Sequence, residues 1–127
     1  MEKMTNSINW FEIPVLNFDR AKEFYSRIYN YEMQESTENA FRMGFLPMER
    51  DAGGVGGAIV QGNGFIPSAL GVKIYLNGGE DLQHVLDRVI AAGGEVIQHK
   101  TKINDEYGYY AIFEDPEGNH ISLHSPK

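Results

Sequence analysis

The 127-residue sequence contains no cysteine. It therefore forms no disulfide and offers neither a thiolate nucleophile nor a cysteine-ligated zinc site. This absence fits a reducing compartment. Basic residues are also few, with 11 Lys and Arg against 18 Asp and Glu and a formal net charge of −7. Because an acidic domain repels phosphate backbones, nucleic acid is not an expected partner.

Long apolar runs are lacking as well. No stretch approaches the roughly 20 apolar residues that a membrane span needs. The first few residues have no apolar core of the kind found in signal peptides. We therefore expect a cytoplasmic protein with no membrane partner. The length predicts a single domain over residues 1–127.

What the sequence does contain is a pattern that occurs twice. Residues 8–15 alternate as a strand does, one face carrying Phe11, Ile13 and Val15 and the other Trp10, Glu12 and Pro14. A helix follows, capped by Asn17 or Asp19. Its apolar stripe comprises Ala21, Phe24, Tyr25 and Ile28.

The same pattern returns 61 residues later. A second strand carries apolar side chains on one face, namely Val72, Ile74 and Leu76, and the other face carries Gly71, Lys73 and Tyr75. The second helical stripe comprises Leu82, Val85, Leu86 and Val89. Gly93 and Gly94 then end the helix as C-cap glycines do. Seven apolar positions thus match at one constant offset, which indicates an internal repeat.

Three shorter strands are predicted after each helix. In the first half they lie at 31–35, 41–46 and 57–61, and in the second half at 95–99, 109–114 and 120–124. The turn-rich segment 62–68 separates the halves. We predict an α+β fold of two βαβββ modules with pseudo-two-fold symmetry, module one over about 8–62 and module two over about 70–125.

One face of each sheet packs its helix, and the other is free to line a cleft between the modules. Strand alternation predicts which side chains point into that cleft. They are Trp10, Glu12, Lys73, Tyr75, His120, Ser122 and His124. Two other histidines are predicted at the surface, His84 on the polar face of the second helix and His99 in a loop.

The repeat resembles the vicinal oxygen chelate superfamily, which comprises glyoxalases, bleomycin-resistance proteins and extradiol dioxygenases. The segment 18–25, FDRAKEFY, resembles the start of the family's first helix, and the segment 113–123, FEDPEGNHISL, resembles its last hairpin. Pro116 presets the turn of that hairpin and Gly118 eases its exit. Tyr109-Tyr110-Ala111 resembles the strand before it. Within the superfamily, Phe11–Pro14 and Gly53–Gly57 resemble a poorly characterised glyoxalase-related group.

This resemblance implies a divalent metal bound by His, Glu or Gln on the first and last strands of each module. Aligning the helix starts and the last hairpin places the four ligand positions at Trp10, Gly71, Ser122, and Gly57 or Ala58. Trp, Gly and Ala offer no metal ligand and Ser is a poor one. We therefore expect no metal and no other cofactor. A displaced site using Glu12, His120 and His124 is disfavoured, because the two histidines are about 13 Å apart along a strand.

Polar residues nevertheless remain on the cleft face. The pseudo-symmetry predicts Glu12 opposite Lys73, with His124 beside them, and these three are the candidate catalytic residues. A carboxylate beside a lysine or histidine can perform acid–base catalysis, or it can form a buried ion pair that only fixes how the modules pack. The candidate ligand-binding residues are Trp10, Tyr75, Tyr110, His120 and Ser122.

Three kinds of function remain open. The chain is a metal-independent lyase or isomerase acting on a small polar metabolite, a non-catalytic protein that sequesters a small molecule, or a structural domain whose cleft is packed. The polar cluster favours the first two, while the lost ligand positions argue against true glyoxalase activity. Exchange of modules between chains produces dimers at low cost, so we expect a homodimer.

Overall fold

The computed structural model describes residues 2–38 and 40–127. Within these residues the chain forms two modules, each with one α-helix and a four-stranded sheet. Module one comprises β1 (Trp10–Pro14), α1 (Phe18–Tyr29), β2 (Glu35–Glu38), β3 (Phe41–Phe45) and β4 (Gly56–Gln61). Module two comprises β5 (Tyr75–Asn77), α2 (Gln83–Val89), β6 (Glu95–Asn104), β7 (Gly108–Glu114) and β8 (His120–Ser125). The predicted α+β class with two βαβββ modules is confirmed.

The two sheets have the same topology. Their strand orders are β1-β4-β3-β2 and β5-β8-β7-β6, and the first strand of each module pairs in parallel with the last. The remaining pairs are antiparallel. Consequently β1 and β5 each lie at an edge of their sheet. Both edges stay free to approach the other module.

Helix α1 begins and ends where its sequence predicts. The Asn17 side chain accepts a hydrogen bond from the backbone N–H of Arg20 at 3.1 Å, which satisfies one of the free amides of the first turn. Asn30 ends the helix in the left-handed conformation, with φ of 50°. The predicted stripe is buried and is joined by Phe18.

One hydrophobic core serves both modules. It contains the apolar stripes of both helices together with inward residues of both sheets. Phe24 of α1 packs against module two, its ring 5.7 Å from the ring of Phe113 on β7. A Cβ atom at Gly94 would lie only 2.8 Å from Phe24, so the absence of a side chain there makes room for this contact. Helix α1 therefore joins the modules as well as covering its own sheet.

The last hairpin forms the tight turn that its residues predict. The N–H of Gly118 donates to the carbonyl of Asp115 at 3.1 Å, and the N–H of Asp115 donates to the carbonyl of Asn119 at 2.9 Å. Gly118 has φ of 91°, which suits a residue without a Cβ atom. The turn fixes the start of β8.

The predicted strand at residues 71–76 is wrong in its position. Regular pairing begins only at Tyr75, and Gly71 has φ of 101°, which breaks an extended strand. Val72 is 93% exposed, whereas Leu76 is buried. The alternation of apolar residues is real, but only Leu76 is buried, while Ile74 packs partly buried against the core.

Two smaller predictions also need correction. Residues 31–34 are not a strand, and β2 starts at Glu35, because Tyr31 instead turns inward and donates its hydroxyl to the carbonyl of Phe45 at 2.7 Å. His99 lies within β6 rather than in a loop, at a place where the pairing of β6 with β7 is irregular. It is exposed, as is His84 on α2.

No helix among the described residues has both the length and the apolar character required to cross a membrane.

Candidate functional site

A cavity of about 380 Å³ lies along the free edge of β1, where module one meets module two. Three parts of the chain line it: β1 with the residues before it, the segment 66–74 that leads into β5, and the start of β8. Its lining comprises Ile8, Trp10, Phe11, Glu12, Ile13, Pro14, Ile66, Ser68, Leu70, Val72, Ile74, Asn119, His120 and Ile121. Most of these side chains are apolar, as is usual for a ligand pocket.

Asn119 holds the three walls of this cavity together. Its side-chain amide donates to the carbonyl of Pro14 on β1 at 2.8 Å and to the carboxylate of Asp115 at 3.0 Å. Its side-chain oxygen accepts a hydrogen bond from the backbone N–H of Ser68 at 3.0 Å. Asn119 is only 4% exposed, so these bonds are shielded from water. It fixes the distance between β1, the segment 66–74 and the last hairpin.

Asp115 holds Asn119 in position through hydrogen bonds. Its carboxylate accepts hydrogen bonds from the N–H groups of Glu117 and Asn119, each at 2.9 Å, and from the hydroxyl of Tyr25 at 2.7 Å. Burial raises the pKa of Asp115 above its ordinary value, although these hydrogen bonds oppose the rise. Burial, with the charge of Asp115, also raises the pKa of Tyr25. Tyr25 lies on α1, so this network also connects the two modules.

Glu117 makes a second connection between the modules. Its side chain is fully buried and accepts hydrogen bonds from the N–H groups of Leu16 at 2.6 Å and Asn17 at 2.8 Å, and it forms an ion pair with Arg20. Burial alone would raise the pKa of Glu117, but these hydrogen bonds lower it below its ordinary value. The hairpin that resembles the family motif therefore clamps module two onto the start of α1.

The cavity lining includes one carboxyl and one imidazole side chain. Glu12 is exposed to the cavity and accepts a hydrogen bond from the indole N–H of Trp10 at 3.3 Å. His120 is paired through Nε2 with the carboxylate of Glu114 at 2.9 Å, directly across the β7–β8 ladder. The lining residues, all of them in the described part of the chain, include no lysine or arginine. The charge inside the cavity is thus that of a carboxylate.

The predicted cluster of Glu12, Lys73 and His124 does not assemble within the chain. Lys73 turns away from the cavity and donates its ammonium group to the carbonyl of Ala69 at 2.7 Å. His124 donates from Nε2 to the carbonyl of Tyr107 and lines a separate surface pocket of about 480 Å³ with Tyr75, Asn77 and Gly79. The prediction that Lys73 lies opposite Glu12 is therefore wrong. It relied on a strand that starts at residue 71, whereas β5 starts at Tyr75.

The other candidate ligand-binding residues divide between these two places. Trp10 and His120 line the cavity with Glu12. Tyr110 lies on β7 directly opposite His124, beside the separate pocket. Ser122 is opposite Tyr75 on the neighbouring strand and is only 2% exposed. Whether any of them binds a ligand stays a prediction.

One backbone hydrogen bond follows the last residue pair of each parallel strand pair, and it shows why the predicted strand of module two is misplaced. It joins Val15 to Val60 in module one and Gly78 to His124 in module two. Val15 and Gly78 are 63 residues apart, two more than the offset of the helices. Strand equivalence therefore pairs Trp10 with Lys73 rather than with Gly71.

The superfamily's metal does not fit these positions. Trp10 offers only an N–H donor, and Lys73 offers an ammonium group that a cation would repel. Ala58 has no donor atom, and Ser122 is buried in the ladder. In residues 2–38 and 40–127, no group of three or more His, Asp and Glu is arranged to hold a metal ion. We therefore derive no chemistry through a metal at this site.

Sequence reasoning missed the residues that build the cavity from module two. Asn119 and Asp115 were visible only as part of a turn, and Ile66, Ser68 and Leu70 only as part of a linker. The amide of Asn119 is a weak indication in sequence, because two of its three partners, Pro14 and Ser68, lie in distant segments. The linker carries exposed apolar side chains, which is unusual for a solvated connection and is the feature that could have revealed it.

The family model of the glyoxalase-like domain matches residues 10–124, and the chain therefore belongs to the glyoxalase-like family of the vicinal oxygen chelate superfamily. No protein with a curated description is significantly similar to it in sequence.

Solved structures agree on the fold. UcmS2 is 24% identical with a TM-score of 0.65, over 95% of this chain and 98% of that one. TnmS3, an antibiotic binding protein from Streptomyces sp. CB03234, is 22% identical with a TM-score of 0.65, over 98% and 100%. A glyoxalase/bleomycin resistance protein/dioxygenase family enzyme from Burkholderia phytofirmans PsJN is 16% identical with a TM-score of 0.67, over 94% and 98%. At these identities the likeness concerns the fold alone.

Proposed function

We propose that this protein binds a small molecule in the cavity between β1 and the segment 66–74. The observation that carries this proposal is the cavity itself, which is lined by many apolar side chains and a few fixed polar groups. That composition is typical of small-molecule sites, where apolar walls supply affinity and polar groups fix orientation. Asn119 makes the site rigid, which lowers the entropic cost of binding.

Binding without turnover is the form of this function that we favour. Of the three candidate catalytic residues, Glu12 lines this cavity, whereas Lys73 is bonded to Ala69 and His124 lines the separate pocket. The name of the related TnmS3 describes an antibiotic binding protein, and this supports a sequestering role here. We therefore propose a role like that of the bleomycin-resistance proteins rather than that of a glyoxalase.

Catalysis remains the second candidate because Glu12 and His120 share one cavity. Glu114 holds Nε2 of His120 and so leaves Nδ1 as the nitrogen that could exchange a proton with a ligand. Such a pair suits a lyase or isomerase that moves protons without a metal. Turnover that disappears in Glu12→Gln and in His120→Asn, while ligand affinity is retained, would favour this candidate over sequestration.

A homodimer is part of the proposal. The edge strands β1 and β5 carry exposed aromatic side chains, with Trp10 40% and Tyr75 59% exposed. Free strand edges with apolar neighbours favour association. We further propose that the protein works in the cytoplasm without a metal cofactor.

Native mass spectrometry of freshly purified protein tests this proposal. It should show a dimer and a bound organic molecule without a stoichiometric metal. Trp10→Ala should lose that molecule, while Ile97→Ala, an exposed substitution on β6 outside the cavity, should retain it. Recovery of only unliganded protein, even after incubation with a metabolite extract, would contradict small-molecule binding.

A further inference from the structure

We propose that the cavity selects a cationic amphiphile, namely a protonated or quaternary amine on an apolar body. This inference rests on the proposed function and specifies its ligand class. It starts from the charge inside the cavity. The Glu12 side chain lines it and takes part in no ion pair with any residue that the structure describes, while the imidazole of His120 is hydrogen-bonded through Nε2 to Glu114. A ligand with a positive head group would therefore complete the site.

Glu12 has no protein cation as a partner. In the described part of the chain its carboxylate takes part in no ion pair, and its hydrogen bond comes from the neutral indole of Trp10. Lys73, the cation expected opposite it, is held by Ala69 instead. One oxygen of Glu12 thus remains free to accept a charge-assisted hydrogen bond from an ammonium group.

Trp10 adds a second feature that favours a cation. Its indole is the side chain with the strongest cation–π attraction, and the N–H bond to Glu12 keeps ring and carboxylate side by side. The ring also contacts Phe45 edge-on, with centroids 6.2 Å apart, which restrains its orientation. A carboxylate next to an accessible indole face attracts organic cations more strongly than either group alone.

The remaining walls favour an apolar body. Three side chains of the segment 66–74 are strongly exposed, Ile66 at 74%, Leu70 at 83% and Val72 at 93%. All three line the cavity, so a ligand seated there would cover them. The net charge of −7 further attracts cations and repels anions over the whole surface.

The test uses three probes with one apolar body and different head groups: phenylbutylamine, phenylbutanol and phenylbutyrate. Trp10 is the only tryptophan of the chain, so its fluorescence reports binding at this cavity. We expect the amine to bind about tenfold more tightly than the alcohol, a difference typical of one charge-assisted contact. The carboxylate should bind most weakly.

Glu12→Gln should remove the preference for the amine and leave the affinity for the alcohol unchanged. Glu23→Gln is the matched control, because it removes the same charge from an exposed position of α1 outside the cavity. Loss of the preference in both variants would mean that only net charge matters, and the inference would be wrong.

Three further outcomes would overturn the inference. Equal affinity for the three probes would leave small-molecule binding standing and exclude cation selection. No response to any probe, with a co-purified molecule still seen by mass spectrometry, would also refute the cation without refuting the proposed function. Trp10 emission that responds to protein concentration and to none of the probes would show that a second copy, rather than a cation, covers the apolar side chains of the segment 66–74.

Discussion

The two modules share one topology but differ in how much of it is regular. In module one, β1 has 5 residues and α1 has 12, whereas in module two β5 has 3 and α2 has 7. Asn17 caps α1 with its own side chain. The first turn of α2 uses both the local Asp81, which accepts from the N–H of Gln83, and the distant Ser125, whose hydroxyl accepts from the N–H of Leu82, each at 2.9 Å. The buried stripes of both helices are nevertheless equivalent. The repeat thus preserves buried faces and not the lengths of elements.

The irregular part of module two is also what forms the cavity. By strand equivalence, Lys73 and Ile74 correspond to the first two residues of β1, but they lie outside β5, and the segment 66–74 that contains them lines the cavity with apolar side chains. Departure from symmetry has therefore produced an asymmetric site, with the carboxylate and the indole on one wall and the apolar rim on the other.

Substitution of Phe24 should have the largest effect, because this α1 residue joins the two modules. It is 1% exposed and packs on Phe113. We expect Phe24→Ala to lower the free energy of unfolding by about 3–5 kcal/mol. Leu86→Ala in α2 should cost less, and the exposed Leu16→Ala should change it by under about 0.5 kcal/mol. Urea unfolding followed by circular dichroism measures all three, and a larger loss for Leu86→Ala would mean that α2 is the main connection.

Because β5 starts later than the apolar pattern suggests, substitutions at two positions of that pattern should differ sharply in their effect on stability. Leu76 is 6% exposed and Val72 is 93% exposed, although both lie on the face that alternation assigns to the core. Leu76→Ala should cost about 2–4 kcal/mol, whereas Val72→Ala should cost under about 0.5 kcal/mol. Thermal unfolding of the two variants side by side checks this. Similar losses would restore the longer β5 that the sequence suggested.

The stability contributed by Glu117 and Asp115, which join the two modules, should depend on pH. Because its folded pKa is lowered, the ionised Glu117 contributes stability above its unfolded pKa, and this contribution is lost as pH falls through the folded pKa. Asp115, with a raised folded pKa, has the opposite effect: its ionisation costs stability at higher pH, and that cost disappears on acidification. The sign of each dependence therefore identifies the residue.

Glu117→Gln should cost about 2 kcal/mol at neutral pH, the value of hydrogen bonds to a charged group. Its difference from the wild type should shrink as the pH becomes acidic. Urea unfolding at a series of pH values measures this, with Glu23→Gln as the control for a lost surface charge. A difference that stays constant down to acid pH would show that the charge of Glu117 does not stabilise the clamp.

The ends of the two helices provide the smallest contrast. After α2, Gly93 has φ of 107°, while α1 ends at Asn30 with φ of 50°. Gly93→Ala should cost about 1 kcal/mol, since a Cβ atom is strained in that conformation. Asn30→Gly should change stability by under about 0.5 kcal/mol, because Asn tolerates the left-handed region. Differential scanning calorimetry resolves stability changes of this size. Equal changes at both positions would mean that the two helix ends do not differ in their need for glycine.

Much of the fold follows from local patterns in the sequence. The helical stripes are confirmed because a period of 3.6 residues requires no knowledge of the partner. The strands β3, β4, β7 and β8 are confirmed within a residue or two, since each alternates over its full length or lies between strong turn formers. The start of β5 could not be predicted, because the alternation continues through Val72 and Ile74 whether or not a neighbouring strand pairs there.

The candidate site was less predictable. Sequence placed Trp10, Glu12 and His120 on the strand faces that now line the cavity. It also placed Lys73 opposite Glu12, because a constant offset of 61 residues was carried from the helices to the strands. The strands follow a different offset, and a shift of this kind is invisible until backbone hydrogen bonds define the register.

The sequence by itself determined the two modules, the helix faces and the tight last turn, because each depends on residue type or on contacts within a few positions. Only the tertiary structure decided which residues meet across the modules. Asn119 reaches Pro14 and Ser68, and Glu117 reaches Leu16 and Asn17, over separations of 51 to 105 residues. Such contacts depend on where the shared core brings two distant surfaces together, and no local pattern records that.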